Sequence, residues 1–168
     1  MATYFIADTH FGSDSILRYE NRPFSSVDEM DRELIRRWND TVTAEDTVYH
    51  LGDFGAEGHE AEILAQLNGT VFLVKGNHDT QSNEYYRQAG FQEVYDLPVL
   101  FQQFWLLSHE PLYVNTNMPY ANLFGHVHAN PQYRDFSSQH FCVCAERIGY
   151  APIALDEIVR SVQGRSAL

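Results

Sequence analysis

Five short apolar runs recur along the chain, and each stops at a cluster of polar residues. They read Thr3-Tyr4-Phe5-Ile6-Ala7, Thr47-Val48-Tyr49-His50-Leu51, Val71-Phe72-Leu73-Val74, Phe104-Trp105-Leu106-Leu107 and Ala121-Asn122-Leu123-Phe124. Their length and their β-branched and aromatic content identify buried strands. Between the first two the period changes. Val27, Met30, Leu34 and Trp38 recur at three and four residues, the stripe of an amphipathic helix, behind a Ser25-Ser26 cap with Glu29 as its capping-box partner. The same signals predict helices from Glu60 to Leu67 before Asn68-Gly69, from Asn83 to Ala89 before Gly90, and from about Asp156 to Gln163. From Phe91 to His109 the pattern is that of strands, and Phe141 to Ala145 adds another. The first half thus reads β-α-β-α-β-α and the second mostly β, a sheet-rich layered core flanked by helices.

Each run ends in a block of residues that carries chemistry. The blocks are Asp8-Thr9-His10, Gly52-Asp53, Gly76-Asn77-His78-Asp79, Ser108-His109 and Gly125-His126-Val127-His128. Strand carboxyl ends converge on one rim in α/β proteins, so residues spread over about 120 positions can gather in one crevice. Two carboxylates, four imidazoles and one amide, with His78 beside them, exceed what a single ion needs. Mixed Asp, Asn and His ligation suits manganese, iron or zinc better than magnesium or calcium. Asp53 is the candidate bridge between two cations, which phosphoryl-transfer sites hold about 3.5–4 Å apart. Gly52 and Gly76 are expected to let the backbone turn sharply at the strand ends. His126 and His128, one residue apart, can each serve a different metal.

These blocks, in this order, resemble the calcineurin-like metallophosphoesterase superfamily, across residues 8 to 128. The short chain is similar to small bacterial or phage phosphoesterases. The resemblance implies a four-layer α/β/β/α sandwich of two mixed sheets flanked by helices, formed as a single domain over residues 1–168. It further implies that Asp8, His10 and His128 hold one divalent metal, that Asn77, His109 and His126 hold the other, and that Asp53 bridges them. Manganese is expected, with iron, zinc or nickel as alternatives. His78, oriented by Asp79, would stand beside the leaving group while a water or hydroxide shared by the metals attacks phosphorus. The implied function is dinuclear metal-dependent hydrolysis of a small phosphomonoester or phosphodiester. A nuclease or nucleotide pyrophosphohydrolase is the alternative enzyme. A protein-binding scaffold is the non-enzymatic one, since a retromer subunit with this fold works through protein contacts, but such proteins have eroded ligand sets and this one is complete.

Other features bound the reading. Net charge is −12, from 23 acidic against 11 basic residues with Lys75 the only lysine, so long polyanions are repelled and a small phosphorylated substrate is the expected partner. No signal peptide or membrane-length apolar segment occurs, and Cys142 and Cys144 alternate about Val143 as small core residues, so a cytoplasmic protein is expected. Arg18 and Arg22 lie in the loop after the first block, where either could meet a phosphate oxygen, although a surface ion pair or loop cap is the commoner use. Tyr113, Tyr120, Tyr133 and Phe136 flank the last block and could stack on an aromatic group or pack their loops. His50 reads as a core residue, and His59 and His140 as surface ones. The chain has no Gly-x-x-x-x-Gly-Lys cradle, Gly-x-Gly-x-x-Gly fingerprint or Gly-x-Ser-x-Gly elbow, and neither cysteine has an arginine six positions later. The second block runs Asp53-Phe54-Gly55 where protein serine/threonine phosphatases have Asp-Arg-Gly, which counts against that branch; the third ends in Asp79 where many relatives have Glu.

Overall fold

A computed structural model of the protein describes residues 1–133 and 137–165. Among the described residues nine strands form two mixed sheets with helices flanking them. The first sheet has the order β4-β3-β2-β1-β9, from β1 (Thr3–Ile6), β2 (Thr47–His50), β3 (Thr70–Val74), β4 (Glu93–Tyr95) and β9 (Ile153–Ala154). The second has the order β5-β6-β7-β8, from β5 (Val99–Phe101), β6 (Trp105–Ser108), β7 (Ala121–Phe124) and β8 (His140–Cys142). The helices are α1 (Asp14–Tyr19), α2 (Val27–Thr41), α3 (Glu60–Leu64), α4 (Asn83–Ala89) and α5 (Leu155–Arg165). Among the described residues no helix is long and apolar enough to cross a membrane.

Parallel register aligns the strand ends. Ile6 stands opposite His50 and His50 opposite Leu73 in the first sheet, and Ser108 stands opposite Phe124 in the second. The chain therefore leaves β1, β2, β3, β6 and β7 at one rim. The expected convergence draws on two sheets at once, joined where Ala7 donates to the Val143 carbonyl and accepts from Ala145, at 2.9 and 3.0 Å.

Period-2 alternation sorts the strand side chains into two cores. Ile6, Val48, Val71 and Leu73 face the helices, where they meet Met30, Leu34 and Trp38 of α2 and Ile63 of α3. Phe5, Leu51, Val74, Leu107, Leu123 and Ile158 of α5 fill the second core between the sheets. On the far side of the second sheet, Asn122 accepts from the Leu112 N–H, and His140 Nε2 bonds the Leu112 carbonyl, so the segment after Glu110 is tied across that face. His140 is accordingly buried, not on the surface as expected, because its strand is covered; His59 is exposed.

The α2 start agrees with its signal but for one shift. Ser26 Oγ accepts the Glu29 N–H, while the Glu29 carboxylate reaches Ser25 rather than Ser26. Helix α4 has the expected bounds, and α3 ends at Leu64, three residues early. Helix α1 has no counterpart among the expected elements: only Ile16 among its six residues is buried, so it has no apolar stripe to read. Replacing Leu34 by Ala should cost about 2–5 kcal/mol in denaturant unfolding, the range for emptying a filled core position. A cost below about 1 kcal/mol would show that the helix-facing core is not close-packed there.

Candidate metal centre

The seven expected ligands meet at the rim, and the donor atoms fall into two sets. His128 Nε2 lies 3.5 Å from Asp8 Oδ1, and His10 Nε2 lies 3.6 Å from Asp53 Oδ2. In the second set His109 Nε2 and His126 Nδ1 are each 3.0 Å from Asn77 Oδ1, and His109 Nε2 is 3.5 Å from Asp53 Oδ2. One oxygen, Asp53 Oδ2, thus belongs to both sets. Bonds of roughly 2.1 Å to a common cation put neighbouring donors about 3.0–3.4 Å apart, which these spacings approach.

Four of the seven donors, Asp8, Asp53, His109 and His128, are aimed by a bond on their other side. Asp8 Oδ2 accepts the His126 N–H at 2.8 Å, and Asp53 Oδ1 accepts the His78 N–H at 2.9 Å, which leaves the opposite oxygen of each carboxylate turned inward. His109 Nδ1 meets the Leu51 carbonyl at 2.8 Å and His128 Nδ1 meets Glu146 Oε1 at 3.1 Å, so both rings present Nε2 to the centre. Asp8 Oδ1 and His10 Nε2 are buried and have no hydrogen-bond partner in the protein. Orphaned atoms of this kind are costly without a compensating partner, and a cation supplies one. The residues present therefore fit divalent metal ions. A further group, Glu20, His128 and Glu146, has ligand atoms within 4.8 Å of one another, but the Arg22 guanidinium against Glu146, at 2.6 Å, opposes a cation there.

Backbone geometry explains why these positions are special. Asp8, His10, Asp53, His126 and His128 all have positive φ, between 45° and 68°, a left-handed conformation costing on the order of 1–2 kcal/mol per residue outside glycine. Turning five side chains off the strand ends into one crevice demands it. Gly52, at φ 92°, makes the turn expected of it. Gly76 serves for a different reason: its φ is not positive, and a Cβ there would lie 2.3 Å from Asp53 Oδ1.

Burial and charge set the protonation states. Burial pushes the Asp8 carboxyl up to about 6 and holds His10 down at about 2, with the neighbouring His128 and Arg22 charges adding to the latter. Burial also disfavours charge on His128, but the Glu146 hydrogen bond and the Asp8 carboxylate outweigh it and leave this ring at about 8. His50 Nε2 bonds Thr9 Oγ1, which itself donates to the Phe54 carbonyl, and burial keeps this core ring neutral, near 3.

Three side chains considered for substrate or relay roles have other partners in the structure. Arg22 is not available to a substrate: its guanidinium is buried and donates to the Asp8 and Thr9 carbonyls and to Glu146. Arg18 is exposed and paired with Asp14 one helical turn away, outside the donor sets. Asp79 does not orient His78; its carboxylate accepts the N–H groups of Asp53, Phe54 and Gly76 and so ties the second and third blocks together. His78 itself is close by, its ring 65 % exposed and its Nε2 4.0 Å from Asp53 Oδ2. Tyr113 is exposed, Tyr133 packs beside Phe124 and Val127, and Phe136 lies outside the described residues. Glu146 has no motif to mark it in the sequence, and a 3-10 turn over Ala145–Arg147 carries it to the site.

A model of the calcineurin-like phosphoesterase superfamily domain matches residues 1–142. The chain belongs to that superfamily. An uncharacterized protein of Methanocaldococcus jannaschii is 34% identical over 168 residues, covering 95% of this chain and 90% of its own. The Gene 66 protein of Mycobacterium phage L5 is 30% identical over 82 residues, 46% of this chain and 39% of the phage protein. Among solved structures, a protein of unknown function from Aquifex aeolicus superposes with TM-score 0.73 at 26% identity, covering 95% of this chain and 98% of that one. A Pseudomonas putida nuclease shares the fold at TM-score 0.53 and 23% identity, over 75% of this chain and 61% of its own.

Cation binding by this phosphoesterase-family site requires Asp8 ionised and the imidazoles neutral. With His128 titrating near 8 and Asp8 near 6, loading at pH 7 should release roughly one proton, and affinity should rise between about pH 6 and 8. Calorimetry in buffers of different ionisation heat reads that release; a proton count of zero would contradict the assignment. Replacing Glu146 by Ala should weaken cation binding about 10–100-fold while the circular dichroism spectrum is kept. Wild-type affinity in that variant would remove Glu146 from the orientation of His128.

Proposed function

We propose that this chain is a metal-dependent phosphoric ester hydrolase with a two-cation centre, acting on a small phosphomonoester or phosphodiester. One observation carries the reading: seven donor residues in two sets share Asp53 Oδ2, with His78 at their edge. Two divalent cations, manganese first by donor chemistry, would supply charge neutralisation for phosphoryl oxygens and a water of lowered pKa. Asp8, His10 and His128 would hold one and Asn77, His109 and His126 the other.

The protein's own groups then have defined tasks. Asp53, held through Oδ1 by the His78 N–H, keeps the two ligand sets at a constant separation. Asp79, by fastening three backbone N–H groups, resists any spreading of the second and third blocks. The exposed His78 ring is free to donate a proton to the departing oxygen, or to hydrogen-bond the charge developing there. A net charge of −12 disfavours long polyanions, which supports a small substrate over the nuclease alternative. The complete donor set supports an enzyme over a protein-binding scaffold.

Nitrophenyl phosphate mono- and diesters assayed with manganese, nickel, zinc and magnesium should show metal-stimulated turnover. Asp53→Ala should lose metal and turnover together. His78→Ala should keep its metal and lose about 10²–10⁴ in kcat. A wild-type protein that binds metal but turns over none of these esters would sink the reading, and full activity in His78→Ala would remove that ring from it.

A further inference from the structure

Beside the donor sets lies a pocket of about 340 Å³, with His10, His78 and His128 contributing their imidazoles and helix α1 contributing Ile16 and Tyr19. Ser13 and Ser15 complete it, with their hydroxyls 3.0 Å apart and bonded to each other. Apart from the imidazoles, no charged side chain among the described residues lines it. Arg18 on the same helix is directed to Asp14, and Arg22 is committed to backbone carbonyls and Glu146.

That composition discriminates among substrates. The cation centre can take one phosphoryl group, and whatever else the substrate carries must lie against the adjoining walls. A second phosphate would meet two serine hydroxyls, one of whose donors is taken by their mutual bond, and no arginine or lysine lining the pocket to pair with. An uncharged organic group would meet Ile16, which is fixed in place at 7% exposure, and Tyr19, which is 85% exposed. The volume is near the lower end of the roughly 300–1,000 Å³ typical of small-molecule sites, enough for a ring-bearing group and too small for a polymer. The exposed tyrosine ring beside the imidazoles supplies a face for stacking.

We propose that this pocket receives the organic substituent of the phosphoester and that Tyr19 stacks on a planar ring within it, which makes the substrate a phosphoester of an uncharged, aromatic-ring-bearing alcohol. The assignment rests on the phosphoesterase reading for its chemistry but not for its geometry, and the two can fail separately. Binding of phenylphosphonate and of methylphosphonate to the manganese-loaded protein is measured by calorimetry for wild type, Tyr19→Ala and Tyr19→Phe, and kcat/KM is measured on phenyl and methyl phosphoesters. Wild type should prefer the phenyl compound. Tyr19→Ala should lose about tenfold for phenyl ligands with no change for methyl ones, and Tyr19→Phe should keep the preference. Equal binding of the two phosphonates by wild type, equal loss of both in Tyr19→Ala, or binding of neither would overturn the pocket assignment. A phenyl preference in binding without turnover of any ester would leave the pocket standing and sink the hydrolase reading; turnover without any preference for the ring would do the reverse.

Discussion

Two carboxylates buried side by side are the constraint on which this molecule turns. Asp8 is fully buried and Asp53 nearly so, and each has one oxygen held by a backbone N–H from another block, His126 for Asp8 and His78 for Asp53. Each bond does two things at once. It offsets part of the cost of burying an acid, and it couples a strand end of one segment to a loop of another, so the free oxygens face a common centre. Ionised acids gathered in low dielectric repel one another, and cations among them reverse that penalty.

Support for this arrangement comes from groups outside the two donor sets. Asp79 fastens the second and third blocks, Arg22 fastens the carbonyls of the first block to Glu146, and Glu146 fastens His128. Five candidate ligands sit in a left-handed backbone conformation, strain that two packed apolar cores on either side of the first sheet are able to hold. The two cores also separate duties. The inter-sheet core sets where the second sheet's blocks stand relative to the first, while the helix-facing core fixes the first sheet itself.

Legibility in the sequence tracks the range of the interaction. The strand preceding each block, the stripe of α2 and the bounds of α4 depend on neighbours a few residues apart, and the structure has them. The candidate ligands stand out because they end apolar runs in an order shared with a family. Helix α1 escapes because six residues with one buried side chain carry no periodicity. His140 reads as a surface residue because a strand of three residues does not announce the segment that covers it. Arg22 and Asp79 have the same residue types as substrate and relay groups, and only their partners show that backbone atoms have claimed them.

By itself the sequence determined which residue types end which strands, and hence the inventory of donors, because those facts depend on local periodicity and composition. The tertiary structure alone decided which oxygen of each carboxylate faces inward, which nitrogen of the His109 and His128 rings does, and that Glu146 stands behind His128 across 18 residues of chain. Those choices are made by hydrogen bonds between segments distant in sequence, which exist only once parallel register has brought five strand ends to one rim and the Ala7 junction has closed the two sheets upon each other.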